Sequence, residues 1–440
     1  MTSRGRKKIW FVLLVVSMFV LLGIQPLLAE EAKQEVTVWY IHGAEQGKFF
    51  AGSVEKLYAK YPQINVKLTY MPYSCIGGVG SGTMPKLLMS VAAGNAPDLA
   101  TVWNVWSWAH FGGTQPLDDY FEASGITEDT FWPQLWRDMN YKGHIWGMPQ
   151  YGDAAFLLFY NKGLLRDAGL DAENFAPKTF EEFDMAAEKL TKYDSAENID
   201  QIGFIPWRWS ANILFPLSRQ LGGSREDPFY DYENQKVTAD HPAIVEVVEW
   251  MVSYAKKYDP VKVSAAQTAA GGSGLDAPFW AGKLAMMFSA RSSVGDIERH
   301  APDLELGVTF APGPRSLAHQ TTSWAMVMPR GAKNPDGAWK FLEYLASPEG
   351  ADHSYGMGML PSRPGLEYDP RFHKTEFDEA FWTLINHTED AFDYPQMAVI
   401  EQYYSELCGA IDKAIYFMET PEEALKHVRE VVQKELDAVL

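Results

Sequence analysis

Cysteine is almost absent: Cys75 and Cys408 are the only two in 440 residues. That excludes a disulfide-stapled scaffold, and neither cysteine has the spacing of a metal cluster. The two lie far apart in the chain, and two free thiols are expected rather than a bridge. Positive charge is also short, with 38 Lys and Arg against 57 Asp and Glu, a formal net charge of −19. That sign disfavours polyanions, so no nucleic acid is expected as a partner. Catalytic signatures are missing: there is no H-E-x-x-H, no G-x-S-x-G and no P-loop. The run Gly77–Thr83 is rich in glycine, yet it has no lysine and does not open from a strand. No catalytic residue, metal ligand or cofactor is therefore expected. With so many acids, a carboxylate pair at glycosidase separation stays conceivable.

Long apolar runs are confined to the start. Arg4, Arg6, Lys7 and Lys8 precede an uninterrupted run from Ile9 to Leu22. Gly23 and Pro26 break it, and Ala29 offers a small residue before Glu30. This is the layout of a secretory leader, residues 1–29, rather than of a spanning helix, which needs about 20 apolar residues. With no cysteine near the cleavage point, no lipid anchor is expected. Removing the four leader charges takes the net charge to −23 (−19 − 4).

In the mature chain the first hundred residues read as strand, helix, strand, helix, strand. Glu35–Ile41 and Ile64–Tyr70 are the first two strands, and Ala96–Val102 is the third. That order implies a parallel sheet with crossover helices. Ligands of such sheets bind beyond the carboxyl ends of the strands, here at Ile41–Glu45 and Trp103–Trp108. A second landmark is Ala154–Tyr160, a continuous apolar run of a fully buried strand, entered through Gln150, Tyr151 and Asp153. It is either the crossing strand between two lobes or a core strand of one large domain. Later, Thr179 and Glu182 have the spacing of a capping box. Pro242–Tyr258 and Asn334–Ala346 read as helices, Leu306–Phe310 and Ser323–Pro329 as strands, and Ala265–Gly274 as a surface loop.

Aromatic residues are plentiful, with 15 Trp, 21 Tyr and 24 Phe. Trp103, Trp106, Trp108, Trp207 and Trp209 fall in loops expected at strand ends. A sugar ring has an apolar face and a rim of hydroxyls, so a flat aromatic surface with polar neighbours suits it.

Several pieces, taken in order, resemble the extracellular solute-binding component of ABC sugar importers, the class that includes maltose-binding protein. They are Ala92–Asp98, Leu158–Lys162, Ala168–Leu170, Pro177–Glu182, Phe279–Met286 and Asn334–Leu342. The resemblance implies a two-lobed α/β periplasmic-binding fold, with a doubly wound sheet in each lobe and a hinge of crossing segments. It implies a first lobe of residues 30–152 plus 308–330 and a second of 153–307 plus 331–440. It also implies a periplasmic monomer, not an enzyme, that closes on a sugar or oligosaccharide and delivers it to the membrane permease subunits of an ABC importer. Expected ligand-binding residues are His42, Glu45, Trp103, Asn104, Trp106 and Trp324 from the first lobe. Gln150, Asp153, Trp207, Trp209 and Arg291 are expected from the second lobe or its border. Thr321–Trp324, Arg291–Ser293 and the glycine-rich loop depart from the family pattern, so the substrate cannot be copied from a relative. Polyamine, glycerol-phosphate and peptide ligands, and a secreted glycoside hydrolase, are the rival readings. A phosphate ligand would need clustered cations, and only Arg208 and Arg291 stand out.

Overall fold

The computed structural model describes residues 34–41, 43–71, 83–208, 211–222, 227–271, 276–367, 369–373, 375–392 and 394–440. The leader, His42, Cys75, Trp209 and nearly all of the glycine-rich run lie outside the described residues, and Glu45 is described by its backbone alone.

The first sheet runs, edge to edge, Ile64–Tyr70, Gln34–Tyr40, Leu99–Val102, Ala325–Val327 and Met148–Pro149. The first three strands are parallel, and the last two join antiparallel. Alternation in Gln34–Tyr40 sends Val36 and Val38 into the core, against Phe50 and Leu57 of the helix Ala44–Lys60. Asp98 fastens this layer. One carboxylate oxygen accepts from Thr37 N and Thr37 Oγ1, both at 2.8 Å, and the other accepts from Lys333 N and Asn334 N, also at 2.8 Å. A motif residue carried by the family resemblance is thus spoken for by structure.

The second sheet is built on Asp153–Asn161. Met286–Ala290 lies along one edge, and Leu306–Thr309 followed by His319–Thr322 lies along the other, all antiparallel to it. Leu157, Leu158 and Phe159 are buried, as a continuous apolar run requires when both faces of a strand are covered. Near its start the strand is bulged. Phe156 has φ +79°, and the pairing with Ser289 and Ala290 slips by one residue.

Three short segments join the two layers. Residues 150–152 link Met148–Pro149 to Asp153–Asn161, and Ser323–Trp324 link His319–Thr322 to Ala325–Val327. The third lies at Met359–Pro361, where Gly152 and Leu360 exchange backbone hydrogen bonds of 2.8 and 3.0 Å. Ser323 Oγ knots the first two together by accepting from Gln150 N at 3.0 Å and Tyr151 N at 3.3 Å.

Two expected boundaries are corrected here. Residues 308–322 belong with the second sheet, because Leu306–Thr309 pairs with Leu158–Asn161 and does not cross. The helix Pro335–Ala346 belongs with the first layer, where Ala338, Phe341 and Leu342 share a core with Val36, Val38 and Phe50. Strand patterning records burial on two faces, not which sheet supplies the partner. The expected surface loop from Ala265 is corrected over its first five residues, which continue the helix Pro260–Ala269.

Local signals held elsewhere. Thr179 Oγ1 accepts from Glu182 N at 3.2 Å, although the Glu182 carboxylate reaches Lys178 N instead of closing the box. A complete capping box occurs at Thr420 and Glu423, heading the last helix, Pro421–Val439. Among the described residues no helix is long and apolar enough to cross a membrane.

Candidate functional site

Sheet register brings the first group of candidates together. Ala325 pairs with Val102 on one side and Pro149 on the other. The residues just beyond, Trp103, Trp324 and Gln150, therefore emerge side by side at one edge of the first sheet. Trp103 and Trp324 are partly buried. Gln150 is buried, donating through Nε2 to Trp324 O at 3.1 Å, while its Oε1 has no partner among the described residues.

Across the seam, the loop after Leu99–Val102 meets the segment Tyr394–Tyr404. Trp103 Nε1 and Asn104 Nδ2 both donate to Glu401 Oε1, each at 3.3 Å. The Trp103 ring stands edge-on to Tyr394, with centroids 4.9 Å apart, and tilts against Tyr404 at 6.3 Å. Tyr394 is held in turn: its hydroxyl donates to Asn212 Oδ1 at 2.7 Å, and its ring meets Phe215 edge-on at 4.9 Å. Asn104 is fixed from behind, its Oδ1 accepting from Ser107 N at 3.0 Å. Burial pushes the Glu401 carboxyl up to about 7, against the two donors, which favour the charged form.

Asp153 opens the central strand opposite Thr322. The residue keeps some surface, but its Oδ1 is covered and has no partner among the described residues. Burial pushes this carboxyl up to about 7 as well, and the charge of Arg291 pulls the other way.

Other candidates have structural duties. Trp106 is 1% exposed and sits in the core with Val102, Val105 and Trp108. Arg291 is buried against Asp378, its Nε and Nη2 donating to Oδ1 at 2.9 and 2.7 Å. Arg208 makes a buried ion pair with Asp276. Both arginines that could have met a phosphate are thus matched with carboxylates. Trp207 is partly buried against the second core. His42 and Trp209 fall outside the described residues, as does the Glu45 side chain.

Sequence reasoning missed Asn212, Tyr394, Glu401 and Tyr404. Glu401 lies in the first turn of Ile400–Ile415, a helix whose stripe of Tyr403, Leu407, Ala410 and Ile411 is core. A glutamate there reads as ordinary helix N-terminal charge. The available signal was the neighbouring Tyr403 and Tyr404 in an otherwise aliphatic stripe.

A family profile described as bacterial extracellular solute-binding protein matches residues 42–352. The chain is 26% identical over 356 residues to an uncharacterised ABC transporter extracellular-binding protein of Pyrococcus horikoshii, covering 76% of this chain and 74% of that one. It is 23% identical over 343 residues to an sn-glycerol-3-phosphate-binding periplasmic protein of Escherichia coli, covering 75% and 74%. Among solved structures, CpMnBP1 with mannobiose bound superposes with a TM-score of 0.75 at 25% identity, over 91% of this chain and all of that one.

Proposed function

This chain belongs to the bacterial extracellular solute-binding protein family, and from that premise we propose that it captures a sugar or oligosaccharide at the seam between its two sheets. One observation carries the reading. Trp103 and Asn104 face Tyr394, Glu401 and Tyr404 across the seam, giving aromatic faces with polar groups at their edges. Such a lining suits a polyhydroxylated ring. Gln150 and Asp153 lie at the hinge with covered oxygens that lack a partner among the described residues, acceptors for a hydroxyl once the seam opens. Trp324 and Trp207 complete the set taken from the expected candidates.

The matched arginines argue against an anionic solute. A glycerol phosphate brings a dianion, and Arg208 and Arg291 are each held by a buried carboxylate. Releasing either would strand a charge in the core, at a cost of about 3–5 kcal/mol. We also read residues 1–29 as a cleaved leader, and the mature protein as a periplasmic monomer that binds without turnover. It delivers its solute to the permease of an ABC importer.

Titration calorimetry with mannobiose, maltose, glycerol 3-phosphate and spermidine tests the reading. Saturable binding of a neutral sugar, recovered unchanged, is expected. Binding of glycerol 3-phosphate or spermidine alone would replace it with a charged-solute reading, and hydrolysis of a disaccharide would make the protein an enzyme.

A further inference from the structure

The bond from Glu401 to Trp103 and Asn104 is a direct polar contact between parts of the chain that belong to different sheets. Trp103 and Asn104 follow Leu99–Val102 of the first sheet, and Glu401 heads a helix that packs on the helix Ala211–Gly222, which in turn packs on His319–Thr322 of the second. The same two donors are the ones a solute oxygen would use in the reading above.

We propose that Glu401 is a built-in competitor of the solute: its carboxyl holds the two halves together through Trp103 Nε1 and Asn104 Nδ2, and gives up those donors to an incoming hydroxyl oxygen. The second half of this statement rests on the proposed sugar site, whereas the first half stands on the contact alone. Three features make Glu401 suited to the role. Its partners are fixed, Asn104 by Ser107 N and Trp103 by the rings of Tyr394 and Tyr404. Both donors converge on one oxygen, as they would on a hydroxyl. The contact is also sensitive to charge. From the first-sheet loop the groups that face it are Trp103 and Asn104, and the Trp103 ring is flanked in turn by Tyr394 and Tyr404. Among the described residues no charged side chain contributes to the shift of Glu401, which arises from burial opposed by the two hydrogen bonds.

The sign follows from that shift. Opened to water, the carboxyl returns to its ordinary value near 4.5, and at the seam it is about 7. A group that holds its proton more tightly when closed favours closure at low pH. The cost of closing therefore grows as pH rises through this window, and the contact loosens.

The test needs no sugar. Nitroxide labels are placed on Met89→Cys and Met185→Cys, both exposed and one in each half, in a Cys75→Ser, Cys408→Ser background. Electron-electron resonance then reads the distance distribution at about pH 5.5 and pH 8.5. In the parent, a short-distance population is expected that shrinks at the higher pH. Glu401→Ala should lose it at both. Glu401→Gln, whose amide oxygen still accepts two bonds but carries no proton to lose, should retain it at both. An unchanged short population in Glu401→Ala would overturn the proposal, and so would a parent-like pH response in Glu401→Gln. Should the labelled background not fold, small-angle scattering on the native-cysteine proteins reads the same opening as a larger radius of gyration. Calorimetry with mannobiose is kept as a separate arm. A pH-responsive latch together with no sugar binding would sink the sugar reading and leave the latch standing, whereas sugar binding without a latch would do the reverse.

Discussion

Replacing Asp153 by asparagine should stabilise this protein at high pH and leave it unaltered at low pH. Its Oδ1 is covered and lacks a partner among the described residues, and burial lifts the carboxyl from 3.8 to about 7. A shift of roughly three units corresponds to about 4 kcal/mol as an upper bound. Part of the residue still meets solvent, and Arg291 lies close enough to offset the charge, so about 1–2 kcal/mol is the expected cost of ionising it. The folded value is raised, so the favourable contribution is full below the unfolded value of 3.8 and is lost as pH climbs to about 7. Above that the cost is constant. Asparagine keeps the shape and cannot ionise. The measurement is melting by scanning fluorimetry, parent against Asp153→Asn, at about pH 4 and pH 8. At the higher pH the variant should melt about 1–2 °C above the parent. At the lower pH the two should coincide. The variant–parent difference cancels every other titrating group that the substitution leaves alone. An equal offset at both pH values, or a variant less stable at pH 8, would refute the claim that this carboxylate is buried at a cost.

Three further outcomes follow from the geometry. Trp103→Ala should weaken sugar binding by more than tenfold, about 2 kcal/mol, with little change in melting, whereas Trp106→Ala should lose about 3–5 kcal/mol of stability because that ring is core; calorimetry and denaturant unfolding separate the two, and reversed behaviour would move the site. Asp98→Ala removes an acceptor of four hydrogen bonds that tie two strands to a helix start, and a loss of about 3 kcal/mol or more is expected in urea unfolding. Gly152→Ala places a Cβ 2.5 Å from Ile385 Cδ1 at the hinge, so a loss of about 1–3 kcal/mol is expected, with partial recovery in Gly152→Ala, Ile385→Val; no recovery would mean that the clash is not the cause.

Much of the architecture was legible in the chain because its causes are local. The alternation of Gln34–Tyr40, the apolar run to Tyr160, and the helices expected at Pro242 and Asn334 are written in consecutive residues. Pro242 begins a helix of 17 residues, and the helix expected from Asn334 runs Pro335–Ala346, with Asn334 Oδ1 accepting from Gly337 N at 3.1 Å. Trp103, Asn104 and Gln150 could be named as site candidates because residues just past strand ends emerge at a sheet edge.

What the chain could not disclose is pairing at a distance. Leu306–Thr309 has the pattern of a strand in either sheet, and only its register against Leu158–Asn161 assigns it to the second. Trp103 and Trp106 are three residues apart and chemically alike, yet one reaches the seam and the other fills the core, because a short helical turn, Trp106–His110, points the second inward. Arg291 read as a free cation until Asp378, 87 residues on, was found against it. Glu401 meets Trp103 across 298 residues of sequence. Local sequence sets which surfaces are apolar and where the chain turns; which charge meets which, and hence which group is left for a ligand, is decided by contacts whose partners lie far apart in the chain.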